Sequence, residues 1–145
     1  MSTIKVTNLQ DTSGANSSTS EEIFQGRAKA WVTFDGSFGS SPFTEANGGI
    51  LNSFNVSSIT DESTGHFVIN FANSLANSNY AIVATATNYT NDDTIAPVGV
   101  DASTAYTNSD TGTVDLKSTT QVRIGCAGGS TAYDAYNIYA VVFGD

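Results

Sequence analysis

What most constrains this chain is alternation. From Ala28 to Phe34, one side of an extended chain carries Ala28, Ala30, Val32 and Phe34, and the other carries Lys29, Trp31 and Thr33. A period of two marks a strand with one buried face. The pattern returns at Phe54 and Val56, at Phe67, Ile69 and Phe71, and at Tyr80, Ile82, Ala84 and Ala86. It appears again at Val114 and Leu116, and at Val122, Ile124 and Cys126. Turn-forming residues separate the runs at 61–65, 76–79, 91–93, 108–112 and 128–131. About seven or eight short strands at this spacing predict an all-β fold, an antiparallel, jelly-roll-like β-sandwich. Composition agrees: 13 glycines suit turns, and helix formers such as Leu, Lys, Gln and Met are scarce.

The final run, Ile138 to Phe143, is apolar on both faces. It is either a central strand buried on both sides or one whose second face meets another subunit. Trp31 raises the same question, since its neighbours in phase are Lys29 and Thr33. It lies either over the end of its own sandwich or in a subunit contact. Trp31, Tyr139 and Phe143 are therefore the candidate interface residues.

The sandwich is expected over residues 27–145, with residues 1–26 as an extended arm for attachment or oligomerisation. In the arm, Ile4, Val6 and Leu9 read as a short attachment strand, and a polar linker spans residues 11–20. A lone strand does not hold itself in water, so it must pair with the body, another copy or another protein. Thr19-Ser20-Glu21-Glu22 fits a capping box, and Gly26 ends the single helical turn that follows.

Charge narrows the partners. The 145 residues hold 5 Lys and Arg against 14 Asp and Glu, a net charge of −9. Five scattered cations cannot track a phosphate backbone or an anionic membrane. Ser, Thr and Asn make up about a third of the chain, so the surface is polar with little charge. No segment has the apolar length to cross a bilayer, and the first residues lack a basic stretch followed by an apolar one. Synthesis in a cytoplasm is the expectation, without membrane insertion. The sequons at Asn16, Asn55 and Asn88 then read as by-products of composition.

Candidate chemistry is sparse, and no cofactor, metal site or enzymatic activity is expected. His66 is the only histidine and follows Gly65 at a strand start, where an exposed or interfacial polar role fits better than a general base. Asp61-Glu62 and Asp92-Asp93 are adjacent pairs, and neighbours in an extended chain point opposite ways, so neither pair is preassembled for glycoside hydrolysis. Residues 108–112 lack the ligand spacing of a calcium loop. Cys126 is in phase with Val122 and Ile124 and reads as a small buried hydrophobe; alone it forms no disulfide and no zinc site. The glycines at 35–39 and 125–129 read as turns, because no helix or Lys follows to cradle a phosphate. Tyr89, Tyr133 and Tyr136 fall in or beside expected loops and are the candidate glycan or receptor contacts.

Three segments together resemble a module of marine bacteriophage tail-fibre proteins, including those of phages infecting cyanobacteria and pelagic alphaproteobacteria. They are Glu21-Glu22-Ile23-Phe24-Gln25-Gly26-Arg27-Ala28-Lys29-Ala30-Trp31-Val32-Thr33-Phe34, then Ser53-Phe54-Asn55-Val56-Ser57-Ser58-Ile59-Thr60-Asp61 leading into Phe67-Val68-Ile69-Asn70-Phe71, and the closing Tyr136-Asn137-Ile138-Tyr139-Ala140-Val141-Val142-Phe143-Gly144-Asp145. Ile4-Lys5-Val6 and Gln10-Asp11-Thr12-Ser13-Gly14 are similar to the short lead-in of such modules. The resemblance implies a virion appendage, an all-β homotrimeric knob that recognises a host surface and joins other tail or capsid proteins through its arm. It brings no set of binding residues. In the fibres the module ends a much longer polypeptide, which makes a short fibre, a head fibre or a capsid decoration the competing expectation. A carbohydrate-binding module is the other.

Overall fold

The computed structural model describes residues 5–10, 12–14, 17–87, 96–100, 107–108, 112–113, 117–128 and 131–144. Strands β1 (Asn8–Gln10) and β2 (Ser17–Thr19) come first, followed by helix α1 (Ser20–Gly26). The body then runs β3 (Ala28–Phe34), β4 (Ile50–Phe54), β5 (Val56–Ser63), β6 (His66–Phe71), β7 (Ala81–Thr87) and β8 (Ala96–Val100). It finishes with β9 (Thr107–Asn108), β10 (Gly112–Thr113), β11 (Gln121–Gly128), β12 (Thr131–Ala132) and β13 (Asn137–Phe143). The chain is all-β and sandwich-like, with every strand pair antiparallel.

Hydrogen bonds link the main strands in the order β4-β3-β13-β7-β8-β11-β6-β5, with β12 beside β11. The ladder turns a corner at β8. Ala96 and Pro97 pair with β7, whereas Val98, Gly99 and Val100 pair with β11. One strand thus serves two layers, as at the corners of sandwiches and barrels, and Pro97 sits where the ladder changes partner. A second corner closes the opposite edge at Asn55, the single residue between β4 and β5. Its φ is +56°, the left-handed conformation that Asn tolerates better than most side chains.

Between the layers lies one apolar core. Ala30, Val32 and Phe34 of β3 and Ile138, Ala140 and Val142 of β13 face Phe67, Ile69 and Phe71 of β6 and Val122, Ile124 and Cys126 of β11. Phe43 and Ile59 add to it, and Phe34 meets Phe67 edge-on at 5.3 Å between ring centroids. In β3, β6 and β11 the alternation seen in the sequence is the inward face, except at Ala28, which lies outside the core; Phe54 and Val56, expected in one alternating run, are split between β4 and β5 by the Asn55 corner, and Phe54 is exposed.

Four local expectations change. β5 runs on through Ser63, so the expected turn at 61–65 shrinks to Thr64-Gly65. Gly125 and Gly128 lie in β11 rather than in a turn. The arm strand begins at Asn8, so Leu9 belongs to it but Val6 precedes it. Its partner is β2, inside the stretch expected to be a linker: Asn8, Leu9 and Gln10 pair with Thr19, Ser18 and Ser17. The polar residues 17–19 do not alternate, so no apolar face advertised this strand. Ile4, Tyr89, Asn16, Asn88, Asp92, Asp93, Val114 and Leu116 lie outside the described residues.

The helical turn forms as the capping box requires. Thr19 Oγ1 accepts from the Glu22 amide at 3.1 Å, and Glu22 Oε2 accepts from the Thr19 amide at 2.7 Å.

Candidate functional site

The strand order brings three sequence candidates onto one surface. β13 lies between β3 and β7, and its outward residues Tyr139, Val141 and Phe143 stand beside outward Trp31. The register makes a row across four strands: Phe54 opposite Trp31, Trp31 opposite Val141, Val141 opposite Val83. Phe54 and Val83 are 53% and 66% exposed, and Tyr139 and Phe143 are also exposed. A four-strand apolar row turned to solvent on a central part of a sheet is unusual for a chain on its own. The double-sided apolar character of the last strand thus has one face in the core and one on this surface.

Where the row meets α1, a groove of about 570 Å³ opens between Phe24, Trp31 and Phe54, with Arg27 and Lys29 on its wall. Local sequence builds this wall. Gly26 ends α1 and Arg27 is already extended ahead of Ala28, the first residue of β3, so Arg27 and Lys29, two apart, fall on one side of the chain. Lys29 Nζ donates to the Phe24 carbonyl at 2.8 Å and lies 3.0 Å from the centroid of the Phe24 ring. The Arg27 guanidinium rests 5.4 Å from the same ring. The floor is fixed by Asn55: its Nδ2 donates to Lys29 O at 3.1 Å and Asn73 O at 3.2 Å, while its Oδ1 accepts from the Asn73 amide at 2.8 Å. The side-chain amide of Asn55 is thus spent on this corner.

The loop candidates sit at a different place. Three segments converge there through backbone bonds: Gly36 N–H donates to Ala135 O at 2.9 Å, Cys126 N–H to Gly65 O at 2.7 Å and Tyr133 N–H to Cys126 O at 3.2 Å. Gly65 N–H also donates to Asp134 Oδ1 at 2.7 Å. Gly65 has a φ of +74°, and a Cβ there would collide with Cys126 O and approach Ala132 Cβ to 2.9 Å, so only glycine fits. Tyr133 is half-buried against the core and lines a shallow hollow of about 340 Å³ with Ser37, Thr64 and Asp134. Tyr136 is exposed on the same loop. The fold thus places two of the three tyrosines together, one of them largely committed to packing.

Titratable groups gather near this loop. Burial, with the charge of Asp134 adding to it, holds the Asp61 carboxyl above its ordinary range. Burial also pushes the Cys126 thiol up, against a bond from the Ala135 backbone and with help from Asp134, which keeps it a thiol. Glu62 is spent on an ion pair with Arg123. His66 lies half-buried on the outward face of β6, opposite Gly125. Among the described residues no three His, Cys, Asp or Glu side chains converge to hold a metal ion.

Sequence reasoning missed the groove. The sequence points to Trp31, but of the residues that join it Phe24 comes from α1, Arg27 from the helix end, Lys29 from β3 itself and Phe54 from the strand opposite. The nearest signal was the pair of cations flanking Ala28 in a chain with only five. Comparison of this chain with protein-family models, with curated proteins and with solved structures finds no match.

Proposed function

We propose that this chain is a non-enzymatic structural module of a bacteriophage virion, a knob that assembles as a homotrimer and takes part in host attachment. The observation that carries assembly is the exposed apolar row on the outward face of β3, β13 and β7. Such a surface is stabilised by covering it, and copies of the same chain are its most available cover. The contact centres on Val141, Val83, Tyr139 and Phe143, with Trp31 at its border. The virion setting rests on the resemblance of the three segments to tail-fibre modules.

The arm adds a second means of attachment. The β1–β2 hairpin carries exposed Leu9, with exposed Val6 just ahead of it, an apolar edge that a tail or capsid protein can cover by strand addition. Light scattering on the eluting protein should give three copies, and Val83→Lys should give one copy with an unchanged circular dichroism spectrum. A wild-type monomer at micromolar concentration would overturn the oligomer. Antibody labelling of intact particles should decorate the tail; label on the head would assign the protein to capsid decoration instead.

A further inference from the structure

We infer that the groove between α1 and the β3–β4 pair is a binding site for a carboxylated sugar, such as a uronic or other acidic saccharide unit. Charge is the first argument. The chain has 14 acidic side chains and 5 basic ones, yet the groove is lined by two of the five cations and by no acid. An overall negative protein that gathers Arg27 and Lys29 at one concave place selects an anion there. The Arg27 side chain is exposed, and no described acid pairs with it; its planar fork matches a carboxylate two bonds at a time. Lys29 is already held in place by the Phe24 carbonyl and ring, so little freedom is lost when it meets a ligand.

Shape is the second argument. Trp31 and Phe54 are directly opposed on neighbouring strands and both line the groove, giving it an apolar side. The C–H face of a pyranose covers such a side while its carboxylate reaches Arg27. About 570 Å³ is within the usual range for a small-ligand site, roughly 300–1,000 Å³. An acidic peptide fits less well, because an extended peptide would bind by pairing with the edge of β4. That edge is spent in part on itself: Ile50 N–H donates to Thr44 O at 3.1 Å and Ser53 N–H to Asn52 Oδ1 at 2.9 Å. A longer polyanion such as nucleic acid would meet the net charge of −9 beyond the two cations.

The site lies at the Phe54 end of the apolar row, three strands from Val83, and shares only the border residue Trp31 with the proposed contact between copies. It depends neither on a trimer nor on a virion.

Trp31 is the only tryptophan, so its emission reports the groove directly. The full chain is titrated with trigalacturonate, with neutral maltotriose and with a hexaglutamate peptide. Trigalacturonate should change the emission saturably, maltotriose at least tenfold more weakly, and hexaglutamate not at all. Arg27→Gln should weaken trigalacturonate at least tenfold while leaving the melting temperature unchanged, since Arg27 is exposed and, among the described residues, its side chain rests only on Phe24 of α1, a helix that buries no side chain. Added salt should weaken it too. Equal response to both sugars, a response to hexaglutamate as strong as to the uronate, or no response to the uronate would each overturn the assignment. So would emission that follows protein concentration and ignores the uronate, which would give the groove to a second copy.

Discussion

Arg123 Nε lies 2.6 Å from Glu62 Oε2, on the face of the sheet that looks away from the hydrophobic core. Arg123 follows Val122 on β11 and pairs with Val68, so it projects opposite to the core residues, yet it is 1% exposed. Glu62 falls where the β5–β6 register slips, between Asp61 and Ser63, and the bulge aims its carboxylate at the guanidinium. A sheet that carries a buried cation on its outer face has committed that cation to structure.

Removing either partner should therefore be costly. Arg123→Met should lower unfolding stability in urea by about 3–5 kcal/mol, because it leaves Glu62 without its counter-charge. The double change Arg123→Met with Glu62→Leu should recover most of the loss. A single Arg123→Met that melts like wild type would show the pair to be dispensable.

Asn55 should prove the most sensitive corner. Asn55→Ala loses the bonds to Lys29 and Asn73 and forces a Cβ-bearing residue without a compensating side chain into positive φ, costing roughly 2–4 kcal/mol. Asn55→Gly restores the backbone freedom but not the bonds, so its urea midpoint should fall between those of wild type and the Ala variant.

Tyr80 gives the fold an alkaline limit. Burial pushes its phenol up to about 12, against a bond to the Ser118 backbone, while the unfolded chain ionises it near the ordinary 10. Because the folded value is the higher one, this contribution to stability is fully present below the unfolded value. It should be lost as pH rises from about 10 through about 12. Tyr80→Phe should be less stable at neutral pH, having lost the bonds to Ser118 O and Gln121 O at 3.0 and 3.1 Å, but should decline less steeply between those pH values. Urea melts at a series of pH values would separate the two.

The capping box should matter locally. α1 buries no side chain, so Thr19→Ala should leave the global melt unchanged while amide exchange in residues 23–26 rises about fivefold, the equivalent of about 1 kcal/mol for a lost cap. Bonds from the Thr19 backbone and hydroxyl hold the Glu22 carboxyl below its ordinary range. The helix turn should therefore keep this support above the ordinary Glu value and lose it as pH falls through the lowered one. Exchange at acidic pH should show the wild type converging on the variant.

The strands with one buried face were legible in the sequence because burial imposes a period of two on them: β3, β6, β11 and β13 place their alternating residues inside, Ala28 excepted. The capping box was legible for a different reason, since its two bonds join residues only three apart. The hairpin partner of β1 was not legible, because residues 17–19 pair through their backbone and have no apolar face. Nor was the Arg123–Glu62 pair, where a cation in a strand normally signals an outward, solvated side chain.

By itself, then, the sequence determined the class of fold, the inward faces, the helix cap and the acidic, polar surface that disfavours nucleic acid. Each of these follows from neighbours along the chain or from totals. Only the tertiary structure decided which outward residues meet. Trp31 lies beside Phe54 and Val141 because β3 pairs with β4 on one edge and β13 on the other, joining residues over a hundred positions apart. Strand order is set by how the whole core closes, and the apolar row and the groove exist only once it has closed.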